Sequence, residues 1–548
     1  MKIKNPVIPG MCPDPSVIYD GKSYYLASST FHWTPGIVIY KSDDLVNWKL
    51  YNYILKDNIL SLRASNTPTG IWAPHLSYDE KSKKYWIVFS HMVNMGGREF
   101  NANNYCAYAD SLEGPWSDLI YLTSMGFDPS LYHENGKHYL SILEWETRPY
   151  YQSPGSIAIC EIDPTNGKML SDWNRVTKGF TTRGNIEAPQ LYKRKDFYYL
   201  LLASGGTGYG HGIEIGRSKN IFGPYEKNPT GEPILTSNPR HMFTLGDPDA
   251  GHFEMINKNS NIQKSGHGSL VKDKKGNYYI LHLMSRPLED KILNPLGRET
   301  SIQKVKWDEN DWLVLEDGTN LAKEYVEIDI DKETCVNKFD YEFDFTDIDQ
   351  IDNFMTPYHY RNKSWTGIND DGKYLYLRGR DSLFSQVEPS IMATRATSFS
   401  YEFETQFSFN PCHYSQTAGF GLYYDNNNWI YCSVIYIEET KSKALAIYQA
   451  KLGERILYYD DLIKVENERY DLKLRYDNGY VSFFYSDSWE YKAIIKNIDV
   501  DYISDEGVNG EPGEIGGFTG MFNFVGSVDS YQHESEARFY KYRVINNM

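Results

Sequence analysis

A chain of 548 residues is longer than one ordinary domain and points to two to four. Its 41% of hydrophobic residues can build sizeable cores, but no run approaches the roughly 20 apolar residues of a membrane-spanning helix. A formal net charge of -17 with no basic run excludes nucleic acid and anionic membrane surfaces as expected partners.

The opening MKIKNPVIPGMCPDPS has neither the apolar core nor the small-residue cleavage site of a secretory signal, so the expected compartment is the cytoplasm. Five segments then repeat one pattern: CPDPSVIYDGKSYYLASS from Cys12, WAPHLSYDEKSKKYWIVFSH from Trp72, FDPSLYHENGKHYLSIL from Phe127, EAPQLYKRKDFYYLLLAS from Glu187 and GHGSLVKDKKGNYYILHL from Gly266. Each runs from a small or polar residue, usually with a Pro, through a hydrophobic strand and a polar turn to an aromatic pair opening a second strand. That is the signature of a β-hairpin. Most are followed by another strand, an Asp/Asn-rich turn and a short strand, as in IVIYKSDDLVNW and IEIGRSKNIFGPY. About four strands per unit is the makeup of a propeller blade. The expected fold class is all-β, with a five-bladed β-propeller over residues 1–325. The alternative, a generic all-β domain with unrelated hairpins, does not explain ordered and similarly spaced matches.

Beyond about residue 325 the repeat stops. Residues 326–340 are expected to be a linker and 341–548 an antiparallel β-sandwich, jelly-roll-like, because alternating runs such as FSYEFETQFSF and YDLKLRYDNGYVSFFYS are separated by DNNNW- and DNG-type turns. The six cysteines (Cys12, Cys106, Cys160, Cys335, Cys412, Cys432) lack CxxC or zinc spacing, so buried, reduced thiols are expected.

The innermost strands of a propeller converge on its axis. Equivalent positions in the five repeats are Asp14, Ala73, Asp128, Ala188 and His267, separated by 59, 55, 60 and 79 residues. Two carboxylates and an imidazole are thus expected to face one another, with the alanines leaving room. Glu187 and Trp72 stand one residue earlier, nearer the mouth. Carboxylates gathered in one pocket repel unless some are protonated or paired. Glycosidic cleavage uses such a set, since it needs a proton for the leaving oxygen and an activated nucleophile opposite. Asp14 is expected to be the general base, Glu187 the general acid, and Asp128 the group that raises the pKa of Glu187 and orients the sugar. The competing reading makes the Asp-Pro units simple turn formers, as in DPTNGK at Asp163.

The strings PDPS (13–16), STFHWTPG (29–36), WAPHLS (72–77), GFDPSLYH (126–133), EAPQLY (187–192), SGHGSLV (265–271), LGRETSIQ (296–303) and GGFTG (516–520) resemble family 43 glycoside hydrolases, and among them the two-domain β-xylosidases. The resemblance spans nearly the whole chain and implies the same three roles for Asp14, Asp128 and Glu187. It also implies that Arg298 hydrogen-bonds the sugar at the non-reducing end, that Phe31, Trp72 and Trp145 wall the subsite, and that Phe522 or Phe524 of the sandwich sits at its mouth. Without it, the alternative for Arg298 is a surface ion pair, and each aromatic taken singly reads as core. His267 is either structural or associated through water with Ca²⁺ near the axis, an ion that takes six to eight oxygens; no cofactor is otherwise required. The implied activity is inverting and exo-acting, releasing xylose from β-1,4-xylo-oligosaccharides, with a homo-oligomer as a further expectation. Three alternatives stand beside it: an α-L-arabinofuranosidase (or dual activity), a retaining fructan-acting enzyme, and a non-catalytic sugar-binding propeller. A lectin would repeat its site on each blade, whereas here the axial residues differ.

Overall fold

Each of the five repeats folds as its own antiparallel sheet in the computed structural model, which describes residues 1–56, 59–151, 154–239, 256–288, 291–329, 339–369, 373–487, 490–509 and 516–547. Blade 1 orders Ser16–Tyr19, Tyr24–Ser28, Gly36–Ser42 and Lys49–Leu55 side by side; blades 2 to 5 begin on Gly70–Asp79, Gly126–Glu134, Glu187–Arg194 and Gln263–Lys272. These first strands pack against one another in a closed ring, as the hairpin repeat requires of a propeller. Side chains stitch the ring: Leu76 N–H donates to Ser16 Oγ (2.9 Å), Val17 N–H to Ser269 Oγ (3.1 Å) and Leu270 N–H to the Tyr192 hydroxyl (2.9 Å). Lys2–Lys4 pairs with Tyr325–Glu327 and brings the two ends of the propeller together.

The five axial residues share a backbone conformation. Asp14, Ala73, Asp128, Ala188 and His267 have φ of 52°, 41°, 56°, 53° and 40°, a left-handed region uncommon for non-glycine residues. In blades 2 to 5 the ladder to the second strand slips around this residue. Such a bulge re-aims a side chain out of the sheet's ordinary alternation.

The C-terminal unit is a sandwich of an eight-stranded and a seven-stranded sheet, with Phe403, Phe420, Leu422, Ile430, Cys432, Val525 and Phe539 between them. The seven-stranded sheet is covered on its other face as well, where Tyr423, Trp429, Tyr431, Phe522 and Phe524 join one apolar cluster with Trp33, Tyr40 and Tyr53 of the propeller. Burial on both faces explains why GFGLYY and WIYCSVIY are nearly continuous apolar runs rather than alternating ones. The Trp33 and Phe522 rings stack at 3.7 Å and 18°, beside a short ladder between Trp33–Thr34 and Thr356–Pro357. Of the expected linker, residues 330–338 lie outside the described residues, as does Cys335. The other five cysteines are unpaired, and four are buried; Cys412 is exposed, contrary to expectation, because it falls in a surface turn before Gln416–Asp425.

Candidate active site

The left-handed turns at Asp14 and Asp128 deliver both carboxylates into a cavity of about 160 Å³ shared with Glu187, His267 and Arg298. Small-molecule sites usually run about 300–1,000 Å³, so this one suits a single small ring. Asp14 Oδ2 accepts a hydrogen bond from Ser29 Oγ (2.6 Å), which in turn accepts from Ala73 N–H (2.7 Å). Asp14 Oδ1 faces His267 Nδ1 at 3.4 Å and Arg298 Nη1 at 3.9 Å. Asp128 Oδ2 accepts from Ala188 N–H (3.1 Å), while its own N–H donates to Ser90 Oγ (3.1 Å). The two axial alanines therefore do more than leave space: the Ala188 amide holds Asp128 directly, and the Ala73 amide holds the Ser29 hydroxyl that bonds Asp14.

Burial dominates the electrostatics. It raises Glu187 to about 7, helped by the negative charge of Asp14 and opposed by Arg298. Asp128 is likewise raised well above the ordinary carboxylate range, by burial first and then by Glu187 and Asp14. Burial and Asp14 are the foremost causes at Glu187, and the like charges of Glu187 and Asp128 oppose each other's ionisation. Burial also holds His267 below the ordinary imidazole range, against the pull of Asp14.

Phe31, Trp72, Met95, Phe100, Phe127, Thr207 and Phe518 complete the walls. Phe31 is itself left-handed (φ 51°) and bridges Ile71; a Cβ on Gly70 would lie 2.1 Å from the Phe31 carbonyl oxygen, so only glycine permits that contact. Phe518 comes from the sandwich. Its ring lies 4.0 Å from the Arg298 guanidinium carbon, 5.8 Å from Phe31 and 5.9 Å from Trp72. Arg298 donates to Thr207 Oγ1 at 2.6 Å.

Two sequence expectations need correction. Phe522 and Phe524 do not reach the pocket: both are fully buried between sheet and propeller, Phe522 on Trp33 and Phe524 on Tyr431 (5.5 Å). The aromatic at the pocket is Phe518, in the glycine-rich loop ahead of strand Phe522–Asp529. Trp145 stands one ring behind the wall, stacked on Phe100 at 3.9 Å with its Nε1–H donated to the Arg98 carbonyl. Phe127 was missed although its signal was present, since it precedes Asp128 as Trp72 precedes Ala73 and Glu187 precedes Ala188. Among the described residues no group of three or more His, Cys, Asp or Glu side chains is arranged to hold a metal ion. His267, aimed at Asp14, offers one nitrogen where Ca²⁺ takes oxygens, so an ion there would depend on water for its ligands, as the expectation had it.

A family model described as glycosyl hydrolases family 43 matches residues 3–313, and one described as the beta xylosidase C-terminal concanavalin A-like domain matches residues 306–544. The chain is 33% identical to a protein named xylosidase/arabinosidase 43B from Humicola insolens, over 98% of this chain and 96% of that one. It is also 33% identical to a beta-xylosidase of Bacillus subtilis (strain 168), over 95% and 96%. The crystal structure of a xylan beta-1,4-xylosidase from Bacillus halodurans C-125 superposes with a TM-score of 0.90 at 33% identity, covering 99% of both chains.

Proposed function

The chain belongs to glycosyl hydrolase family 43, and from that premise we propose that it is an inverting exo-β-xylosidase that removes single xylose residues from the non-reducing ends of β-1,4-xylo-oligosaccharides. The observation that carries this reading is the cavity itself: three carboxylates around a space fit for one ring, closed on one side by Phe518 of the second domain. A pocket closed in this way admits a chain end and not a chain middle.

In this reading Asp14 takes the proton of the attacking water. One of its oxygens is held by Ser29, and the other faces His267 and Arg298. Glu187, protonated up to about pH 7, gives its proton to the leaving glycosidic oxygen. Asp128, anchored through one oxygen by Ala188 and held above the ordinary carboxylate range by burial, orients sugar hydroxyls. Arg298, fixed by Thr207, supplies further donors. Replacing Asp14 or Glu187 by Ala is expected to lower hydrolysis of xylobiose by about 10²–10⁴-fold; ordinary turnover in either variant removes that residue from the scheme.

A second reading, α-L-arabinofuranosidase or dual activity, is favoured by the combined name of the Humicola insolens relative. Parallel assays on 4-nitrophenyl β-D-xyloside and 4-nitrophenyl α-L-arabinofuranoside separate the two. The proposal expects the xyloside to be preferred, and strong preference for the arabinoside would replace it.

A further inference from the structure

A buried imidazole outside the residues just assigned faces Glu187. His211 ends the turn that precedes strand Gly212–Ser218 and is 1% exposed. Its Nδ1 lies 3.1 Å from the carbonyl oxygen of Lys264. A carbonyl can only accept, so Nδ1 carries the hydrogen, and in the neutral ring Nε2 is left with a lone pair. Nε2 is buried, has no hydrogen-bond partner among the described residues, and lies 3.7 Å from Glu187 Oε1. A buried orphan acceptor is costly, and a protonated carboxyl is a partner that satisfies it.

The ring has little freedom to turn away. It lies flat on Gly266, where a Cβ would fall 2.3 Å from ring atoms. The carbonyl of His211 accepts from Thr236 Oγ1 at 2.7 Å. Lys264, which fixes the tautomer, is itself anchored by a buried ion pair from its Nζ to Glu506 of the sandwich (2.6 Å).

We infer that His211 is a positioning residue for the acid: in the free enzyme its Nε2 accepts the hydrogen of protonated Glu187, storing that proton until the glycosidic oxygen of the substrate takes over as acceptor. This rests on the reading of Glu187 as general acid. A carboxylate in place of the carboxyl would meet a lone pair, so the contact favours the protonated form. The present 3.7 Å must shorten in the free enzyme to the roughly 2.7–3.2 Å of a hydrogen bond. The titratable and charged groups around the pair are Asp14, Asp128, His267, Arg298, Arg183 and Lys264. Burial keeps His211 neutral, with the neighbouring His267, Arg298 and Arg183 acting in the same direction and the Lys264 carbonyl against it. Neutrality is what an acceptor needs.

His211→Asn tests this, because the shorter amide can still donate to Lys264 but places no acceptor at Nε2. The pH profile of kcat/KM reports the free enzyme; its basic limb is expected to move about one pH unit lower, with activity at pH 5 kept within about three-fold. A limb at the wild-type position with activity reduced equally at every pH overturns the inference. Independently of any variant's folding, ¹⁵N spectra of histidine-labelled wild-type enzyme are expected to show His211 Nε2 without hydrogen from pH 5 to 8, its shift following the deprotonation of Glu187. A protonated Nε2 at pH 6 overturns it as well. Glu187→Ala, assayed alongside, keeps the two readings apart. Full activity there removes the acid assignment itself, whereas an inactive Glu187→Ala beside a wild-type-like His211→Asn removes only the role of His211.

Discussion

Asp14 and Asp128 reach the pocket because their backbones turn left-handed, and Glu187 reaches it because it stands one residue ahead of such a turn. That offset was legible in the sequence, since five hairpins could be aligned on their turns and aromatic pairs. The same alignment carried Phe127, whose position matches Trp72. Phe518 was not legible in this way: Phe522 and Phe524 lie on a strand and attract attention by their spacing, yet alternate positions on a sheet buried on both faces are core. Phe518→Ala is expected to raise KM about ten-fold with little loss of stability, as a ring stacked on Arg298 and facing the sugar would. Phe522→Ala is expected instead to cost about 3–5 kcal/mol in denaturant unfolding, since it empties a fully buried site; the opposite pattern would restore the original assignment. The acid also sets a pH limit. Glu187 works only while protonated and is held up to about 7, so kcat/KM should fall as pH rises through that value. A basic limb near the ordinary carboxylate range would show that burial does not tune it.

At the level of elements, the strands were readable and their distortions were not. Alternation, polar turns and aromatic pairs specify five hairpins, but nothing in an alanine announces a positive φ. Ala73 and Ala188 adopt it where the ladders of their blades slip, with φ of 41° and 53°. The amide of Ala188 is then spent on Asp128 and that of Ala73 on Ser29. Ala188→Gly should therefore be neutral in stability, because glycine enters the left-handed region without penalty. Ala188→Val should cost about 1–3 kcal/mol or more by chemical denaturation. Equal stability of the two variants would mean that the bulge is not held at that residue.

Across the whole molecule, the sandwich is part of the site and not an appendage. Its seven-stranded sheet lies under the propeller, Glu506 pairs with Lys264, and the loop carrying Phe518 is held by Asp505, whose Oδ1 accepts from Gly520 N–H at 3.1 Å. None of these contacts was visible in the sequence: Lys264 and Glu506 are more than two hundred residues apart, as are the sheet and the propeller strands it covers, and no repeat aligns them or the Asp505 loop. Asp505 is pushed up to about 7 by burial first, with Glu506 adding and Lys264 opposing. A folded carboxyl that keeps its proton to about pH 7, against 3.8 for an ordinary aspartate, stabilises the fold fully at low pH and loses that contribution as pH rises through 7. The melting temperature should therefore decline between pH 5 and 7.5, and Asp505→Asn should flatten that decline; an unchanged slope would mean that Asp505 is ionised throughout. The central claim concerns the three carboxylates acting from opposite sides of one sugar ring, and the anomer released first tests it most directly. NMR of the wild-type enzyme acting on a β-xyloside should show α-xylose appearing before mutarotation, the outcome of water activated by Asp14 opposite Glu187. β-Xylose appearing first would contradict the account.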